Sequence, residues 1–239
     1  MANRVDGRKL DELRKVVITP NPLRFAEGSA MIEWGNNKVL CAATLEQKVP
    51  PYLIGTGSGW VTAEYAMLPR SAKQRVPRES AKGAPNKRGI EISRIVSRAL
   101  RAAVDLKKLG ERTILLDCDV IESDGGTRTA SITGAWVAMA LAVRRLEEMG
   151  QASQGILAHQ IAAVSVGVVE GRAALDLNYI EDAQAETDMN IVMNELDEFV
   201  ELQGTAEKRC FNRTQLEQML AMGQAGIAAL FAEQKRALG

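Results

Sequence analysis

Two stretches of this 239-residue chain carry residue types in an order that could do chemistry. In the first, Asp124-Gly125-Gly126-Thr127-Arg128-Thr129-Ala130-Ser131 joins an apolar strand pattern to a helical one. Backbone N–H groups at such a junction, the positive end of the helix dipole and the hydroxyls of Thr127, Thr129 and Ser131 would converge on one point, where an anion would sit well. Arg128 adds a guanidinium suited to bidentate contact with phosphate oxygens. The same residues alone also describe a glycine turn and an ordinary helix cap. A phosphate pocket needs a second cation, which Arg88 could supply.

In the second stretch, residues 176–190, Asp176, Asp182 and Asp188 lie where a strand ends, a short polar loop follows and a strand resumes. Carboxylates gathered without cationic neighbours in sequence are costly unless a metal ion or a proton shares their charge. Oxygen-only ligands favour Mg²⁺ or Mn²⁺ over zinc. A solvated acidic loop is the alternative. Asp117 and Asp119, inside the strand pattern of 113–121, are weaker candidates, with one expected to face solvent.

Charge is distributed in the same sense. Thirty basic residues balance thirty acidic ones, yet residues 70–101 hold ten basic against two acidic, and residues 176–207 hold ten acidic and no basic. The first block can bind a polyanion and the second a cation. His159 is the only histidine, so multi-histidine metal sites are excluded and acid–base or metal chemistry falls to carboxylates. Cys41, Cys118 and Cys210 form no C-x-x-C pair and read as buried small hydrophobes. No apolar run long enough to span a membrane occurs, and the charged first twenty residues do not resemble a secretory leader, so a soluble, cytoplasmic protein without a membrane partner is expected.

The elements that must position these groups interleave from end to end. Residues 30–34 and 38–44 should form a hairpin around Gly35-Asn36-Asn37. Residues 50–60 and 69–88 read as loops, the latter a flexible basic arm. A helix is expected over 89–109, with Ile92, Ile95, Val96, Ala99, Leu100, Ala103 and Leu106 as its apolar stripe and Gly110 as its stop. Residues 113–121 should be a buried central strand. A helix to about residue 149 follows, with Ile132, Trp136, Met139, Val143 and Leu146 inside. Hairpins are expected at 161–169 with 172–179 around Glu170-Gly171, and at 190–194 with 198–203 around Leu196-Asp197. Thr214 and Glu217 should open a final helix that buries Leu216, Leu220, Ile227 and Leu230. No linker divides the chain, so one α+β domain over 1–239 is expected.

The strings GWVTAEYAMLPRS (59–71), LDCDVIESDGGTRTASITGA (116–135), DLNYIEDAQAETDMNIVM (176–193) and EFVELQGTAE (198–207) together resemble the bacterial ribonuclease PH family, phosphate-dependent 3′ exoribonucleases that trim tRNA precursors. The resemblance implies a ribosomal-protein-S5-domain-2-like fold of mixed sheets and packed helices, and a homohexamer built as a trimer of dimers. It also implies a reversible reaction in which inorganic phosphate releases nucleoside diphosphates from RNA rather than DNA. Residue by residue, it places Arg88, Gly126, Thr127 and Arg128 on phosphate, makes Asp182 and Asp188 the catalytic pair and holders of Mg²⁺ or Mn²⁺, and assigns Arg70, Arg75 and Arg78 to RNA and subunit contacts. Two positions depart from the family pattern: Gly89-Ile90 follows Arg88, where threonine is usual, and Lys208 stands where glycine often follows GTAE. Phosphate is already a nucleophile, so no histidine base is needed and His159 reads as structural or exposed. A non-catalytic RNA-binding ring subunit and a metal-dependent hydrolytic nuclease are the rival readings.

Overall fold

The computed structural model describes residues 4–78 and 86–239. In the N-terminal third, alternating apolar residues form β1 (Val16–Pro20), β2 (Gly28–Trp34) and β3 (Asn37–Glu46). β2 pairs antiparallel with β3, Trp34 opposite Asn37, so the turn is Gly35-Asn36 and Gly35 supplies the positive φ, 60°, that a two-residue hairpin requires. β4 (Trp60–Met67) and β5 (Thr113–Glu122) run parallel side by side, joined through the helix α1 (Lys87–Arg101). The sheet order is β1-β2-β3-β5-β4.

β5 is central, as expected, but it is not buried on both faces. Ile114, Leu116, Cys118 and Val120 are buried, whereas Asp119 on the opposite face is exposed. Among the described residues, helices cover one side of this sheet. Cys41 and Cys118 pair in register on the covered side, while Cys210 is exposed rather than buried.

The helix expected over 89–109 is two helices. α1 ends at Arg101, and Asp105 caps a separate α2 (Leu106–Leu109) by accepting from the N–H groups of Lys107 and Lys108. Between them Val104 makes a β-bridge with Leu157, which pulls the chain off the helical path. Gly110, at φ 67°, ends α2.

α3 (Thr127–Glu148) buries the expected stripe and also Ala130, Ala135, Val137, Ala138 and Ala142, because it lies between the two sheets. A helix enclosed in this way needs small or apolar residues around its whole circumference. The second sheet has order β7-β6-β8-β9 and is antiparallel throughout, from β6 (Ile161–Val169), β7 (Arg172–Leu175), β8 (Thr187–Asn194) and β9 (Phe199–Ala206). Glu170 and Gly171 both take positive φ in the β6–β7 turn. β7 stops at Leu175 rather than at 179. Asp176 turns left-handed at φ 55°, and Asn178 with Glu181 forms a capping box that opens a short helix, α4 (Tyr179–Gln184).

The last helix, α5 (Arg213–Leu238), opens on a capping box of Asn212 and Gln215, two residues before the Thr214 and Glu217 expected to do so. It buries Ile227 and Leu230 and half-buries Leu216 and Leu220. One apolar core runs from Ile18 and Trp34 through α3 to Val164 and Ile191. Among the described residues, no helix is long and apolar enough to cross a membrane.

Candidate active site

The turn between β5 and α3 is built for close approach. Gly125 and Gly126 have φ of 76° and 75°, and a Cβ on Gly125 would lie 2.7 Å from the backbone of Asn178 and Tyr179. Only a glycine lets this turn rest on the start of α4. Gly126 caps α3 without a side-chain hydrogen bond, and the first turn holds no acidic residue. The first N–H groups of a long enclosed helix are therefore left for an anion.

The hydroxyls expected to converge there do not all do so. Thr127 lines the cleft in front of the turn, its Oγ1 2.8 Å from the Tyr65 hydroxyl. Thr129 Oγ1 instead donates to the Gly126 carbonyl at 2.9 Å and Ser131 Oγ to the Thr127 carbonyl at 2.8 Å. Both are buried and satisfied by the helix itself.

The cleft has a volume of about 580 Å³, and Arg88, Gly126, Thr127, Arg128, Asp182 and Asp188 all line it. Arg88 comes from the first turn of α1 and Arg128 from the first turn of α3; Asp182 comes from α4 and Asp188 from the start of β8. Arg128 is steadied by Gln203 of β9 at 3.1 Å and by Glu91 of α1 at 3.7 Å. Burial pushes the Asp188 carboxyl up to about 6, and the neighbouring Asp182 pushes in the same direction, against the pull of Arg128 and Arg88. Asp182 is also raised, mainly by burial, with the same two arginines opposing.

Among the described residues, no group of three or more His, Cys, Asp or Glu could hold a metal ion by itself. Two half-buried carboxylates with poorly compensated charge nonetheless fit Mg²⁺, which is commonly bound through one or two carboxylates, waters and substrate phosphates.

Asp176 does not belong with that pair. It is 1 % exposed, and it is ion-paired to Arg14, whose Nη2 lies 2.6 Å and Nε 3.0 Å from its oxygens. Trp34 Nε1 donates to it at 2.9 Å. Burial would raise this carboxyl, but Arg14 and Trp34 hold it below its ordinary value. The cations that the acidic segment lacks in sequence come from the N-terminus. Arg14 also donates to the Asp124 carbonyl at 2.6 Å and the Gly125 carbonyl at 3.1 Å. Arg4 is paired with Glu181 of α4 and donates to the carbonyls of Leu175 and Asp176. Asn37 accepts from Asp124 N–H at 2.6 Å and donates to the Gly125 carbonyl. This network joins the glycine turn to the helix that carries Asp182. Its only sequence signal is a run of N-terminal arginines whose partners lie in the acidic segment.

Arg70, Arg75 and Arg78 are exposed and do not line the cleft, although their neighbours Lys73 and Gln74 do. Residues 79–85 of the basic block lie outside the described residues. Arg98 is paired with Glu201, and Arg101 covers the Trp60 ring at 3.8 Å. Asp117 and Asp119 lie on the uncovered face of the first sheet, away from the cleft lining. His159 is half-buried, its Nδ1 3.4 Å from Glu195 and its carbonyl bonded by Trp136.

Residues 12–144 match domain 1 of the 3′ exoribonuclease family, and residues 159–226 match its domain 2. The chain belongs to the 3′ exoribonuclease family. Within that family it is 53% identical over 237 residues to ribonuclease PH of Bacillus cereus (strain AH187), covering 99% of this chain and 97% of the relative. Ribonuclease PH of Bacillus anthracis (strain CDC 684 / NRRL 3495) matches at 53% identity with the same coverage. Among solved structures, rice (Oryza sativa) Rrp46 superposes with a TM-score of 0.80 at 20% identity, covering 99% of this chain and all (100%) of that one. The Archaeoglobus fulgidus exosome with RNA bound to the active site gives 0.82 at 24% identity, covering 97% and 92%. The fold is the RNase PH-like α+β architecture of the family.

Proposed function

We propose that the protein is a phosphate-dependent 3′-to-5′ exoribonuclease acting in the cytoplasm on tRNA precursors and other RNA 3′ ends. The observation that carries this reading is the meeting of two guanidinium groups and two carboxylates, from distant parts of the chain, around the uncapped start of α3.

An oxygen of inorganic phosphate attacks the phosphorus of the terminal phosphodiester. The bond from that phosphorus to the 3′ oxygen of the preceding nucleotide breaks, the departing oxygen takes a proton, and a nucleoside diphosphate leaves. Arg88, Arg128 and the N–H groups of Gly126 to Arg128 hold the attacking phosphate and screen its repulsion from the RNA phosphate. Asp188, whose carboxyl is pushed up to about 6 while no metal is bound, is suited either to carry the proton for the departing oxygen or, when ionised, to act with Asp182 as a metal ligand. When Mg²⁺ or Mn²⁺ is held by Asp182 and Asp188, it supplies charge neutralisation at the phosphates. Diphosphate and phosphodiester bonds are of similar energy, so the reverse addition of nucleotides follows from the same geometry.

Arg70, Arg75 and Arg78 grip the RNA backbone and adjoining subunits in a homohexamer arranged as a trimer of dimers. The exposure of all three, and the kinship with ribonuclease PH and with a solved exosome, support this. The unbroken core supports treating 1–239 as one domain. Products formed from a tRNA precursor with and without phosphate test the reading: nucleoside diphosphates that appear only with phosphate support it, monophosphates formed without phosphate point to hydrolysis, and no product at all points to a non-catalytic ring subunit.

A further inference from the structure

We infer that the hydroxyl of Ser165 is an additional ligand of the phosphate in this cleft, an assignment that rests on the phosphorolytic reading above. Ser165 lies in β6, opposite Asn190 of β8 and two residues before Gly167, the partner of Asp188. It is 5 % exposed and lines the cleft, yet its Oγ has no hydrogen-bond partner among the described residues. Other buried hydroxyls are satisfied, Ser97 by the Ser93 carbonyl, Ser131 by the Thr127 carbonyl and Thr133 by the Ala163 carbonyl, while Ser71 Oγ also has no partner among the described residues but does not line the cleft. A buried hydroxyl without a partner is costly and uncommon, and it calls for an explanation.

Its direction supplies one. A Cβ on Gly126 would lie 3.7 Å from Ser165 Oγ, 3.5 Å from Thr129 Oγ1 and 3.1 Å from Arg14 Nη2, so the hydroxyl faces the start of α3 beside the Arg14 guanidinium. An anion on the Gly126–Arg128 turn would meet N–H groups on the helix side and Ser165 on the sheet side. A hydroxyl both donates and accepts, so it can pair with a bare phosphate oxygen or with a protonated one. Its backbone is fixed, since β6 is paired on both edges and the Ser165 carbonyl accepts from Asp176 N–H at 2.7 Å. That bond links it to the carboxylate that Arg14 holds.

The experiment compares wild type, Ser165→Ala, Ser165→Thr and Arg128→Ala as full-length proteins. Nucleoside-diphosphate release is measured against inorganic phosphate, and melting temperature with and without it. Loss of a hydrogen bond to a charged ligand should raise the phosphate KM of Ser165→Ala roughly tenfold or more with kcat little changed. Because the hydroxyl is unpaired in the free protein, Ser165→Ala should melt at or above the wild-type temperature without phosphate and gain less from adding it. Ser165→Thr, which keeps the hydroxyl, should recover much of the KM. A wild-type phosphate KM in Ser165→Ala, or a lower melting temperature without phosphate together with unchanged KM, would overturn the assignment. If wild type itself shows no phosphate-dependent release, the phosphorolytic reading fails. If wild type shows it and Arg128→Ala loses it while Ser165→Ala saturates normally, only the role of Ser165 fails.

Discussion

The Tyr65 hydroxyl and the Thr127 hydroxyl lie 2.8 Å apart, both buried, and tie strand β4 to the first turn of α3. Burial pushes the Tyr65 phenol up, with Thr127 and Arg88 pulling the other way, so it stays protonated. Either hydroxyl can donate in this pair; when Tyr65 donates, the Thr127 proton is left free for the cleft. Tyr65→Phe should cost about 1–2 kcal/mol of stability and raise the phosphate KM roughly three- to tenfold. Denaturant melts and phosphate saturation curves read both effects; a variant unchanged in both would show that the backbone alone orients Thr127.

Arg128 is fixed between Gln203 and Glu91 before any substrate arrives. Arg128→Ala should reduce turnover on the order of 10²- to 10³-fold, the scale for removing one preorganised charge stabiliser. Arg128→Lys should restore only part of it, because an ammonium lacks the planar fork. A wild-type rate with normal phosphate saturation in the alanine variant would remove Arg128 from the pocket.

Asp188 should be a stability liability. Its carboxyl titrates near 6 in the folded chain against an ordinary 3.8, so the folded state binds the proton more tightly than the unfolded one. The cost of the charge is absent below about pH 4, grows through pH 6 and is complete above it, amounting to about 3 kcal/mol. Asp188→Asn should therefore melt higher than wild type at pH 7.5 in a chelator, converge with it near pH 4, and lose RNA trimming. A lower melting temperature at pH 7.5 would contradict this.

The Arg14–Asp176 pair works in the opposite sense. The Asp176 carboxyl is held below its ordinary value, so its contribution is present above about pH 4 and is lost as pH falls through the depressed folded value. Arg14→Ala leaves a buried carboxylate without its main partner and should cost about 3–5 kcal/mol at neutral pH. The gap in urea midpoint between wild type and Asp176→Asn should shrink as pH is lowered below 4; a gap constant from pH 7 to pH 3 would show that the charge of Asp176 is not what matters.

Much of the fold is legible where the determinants are local. Gly35-Asn36 and Glu170-Gly171 fit the few conformations that reverse a strand in two residues, and the alternating burial of β2 and β3 leaves one register for the first of these hairpins. Arg128, Asp182 and Asp188 are visible because each sits in a motif, whereas Arg88 lies outside the four strings and is reached only through the resemblance and the basic character of residues 70–101. What escapes is settled at long range or by competition between near-equals. The stripe of α1 continues in sequence through Ala103 and Leu106, but the bridge from Val104 to Leu157 and the Asp105 cap interrupt it. Thr214 and Glu217 have the spacing of a capping box, yet Asn212 and Gln215 two residues earlier have it too, and asparagine is at least as good a cap. Arg14 and Asp176 are 162 positions apart, so nothing in the vicinity of either announces the other.

The enclosure of α3 between the two sheets bears on how the protein fails under heat. The turn proposed to receive the anion is the leading end of a rod clamped along most of its length, so it has no cheap way to fray or slide by itself. Catalytic competence and global structure should then vanish together on heating, with little temperature range in which the chain is folded but idle.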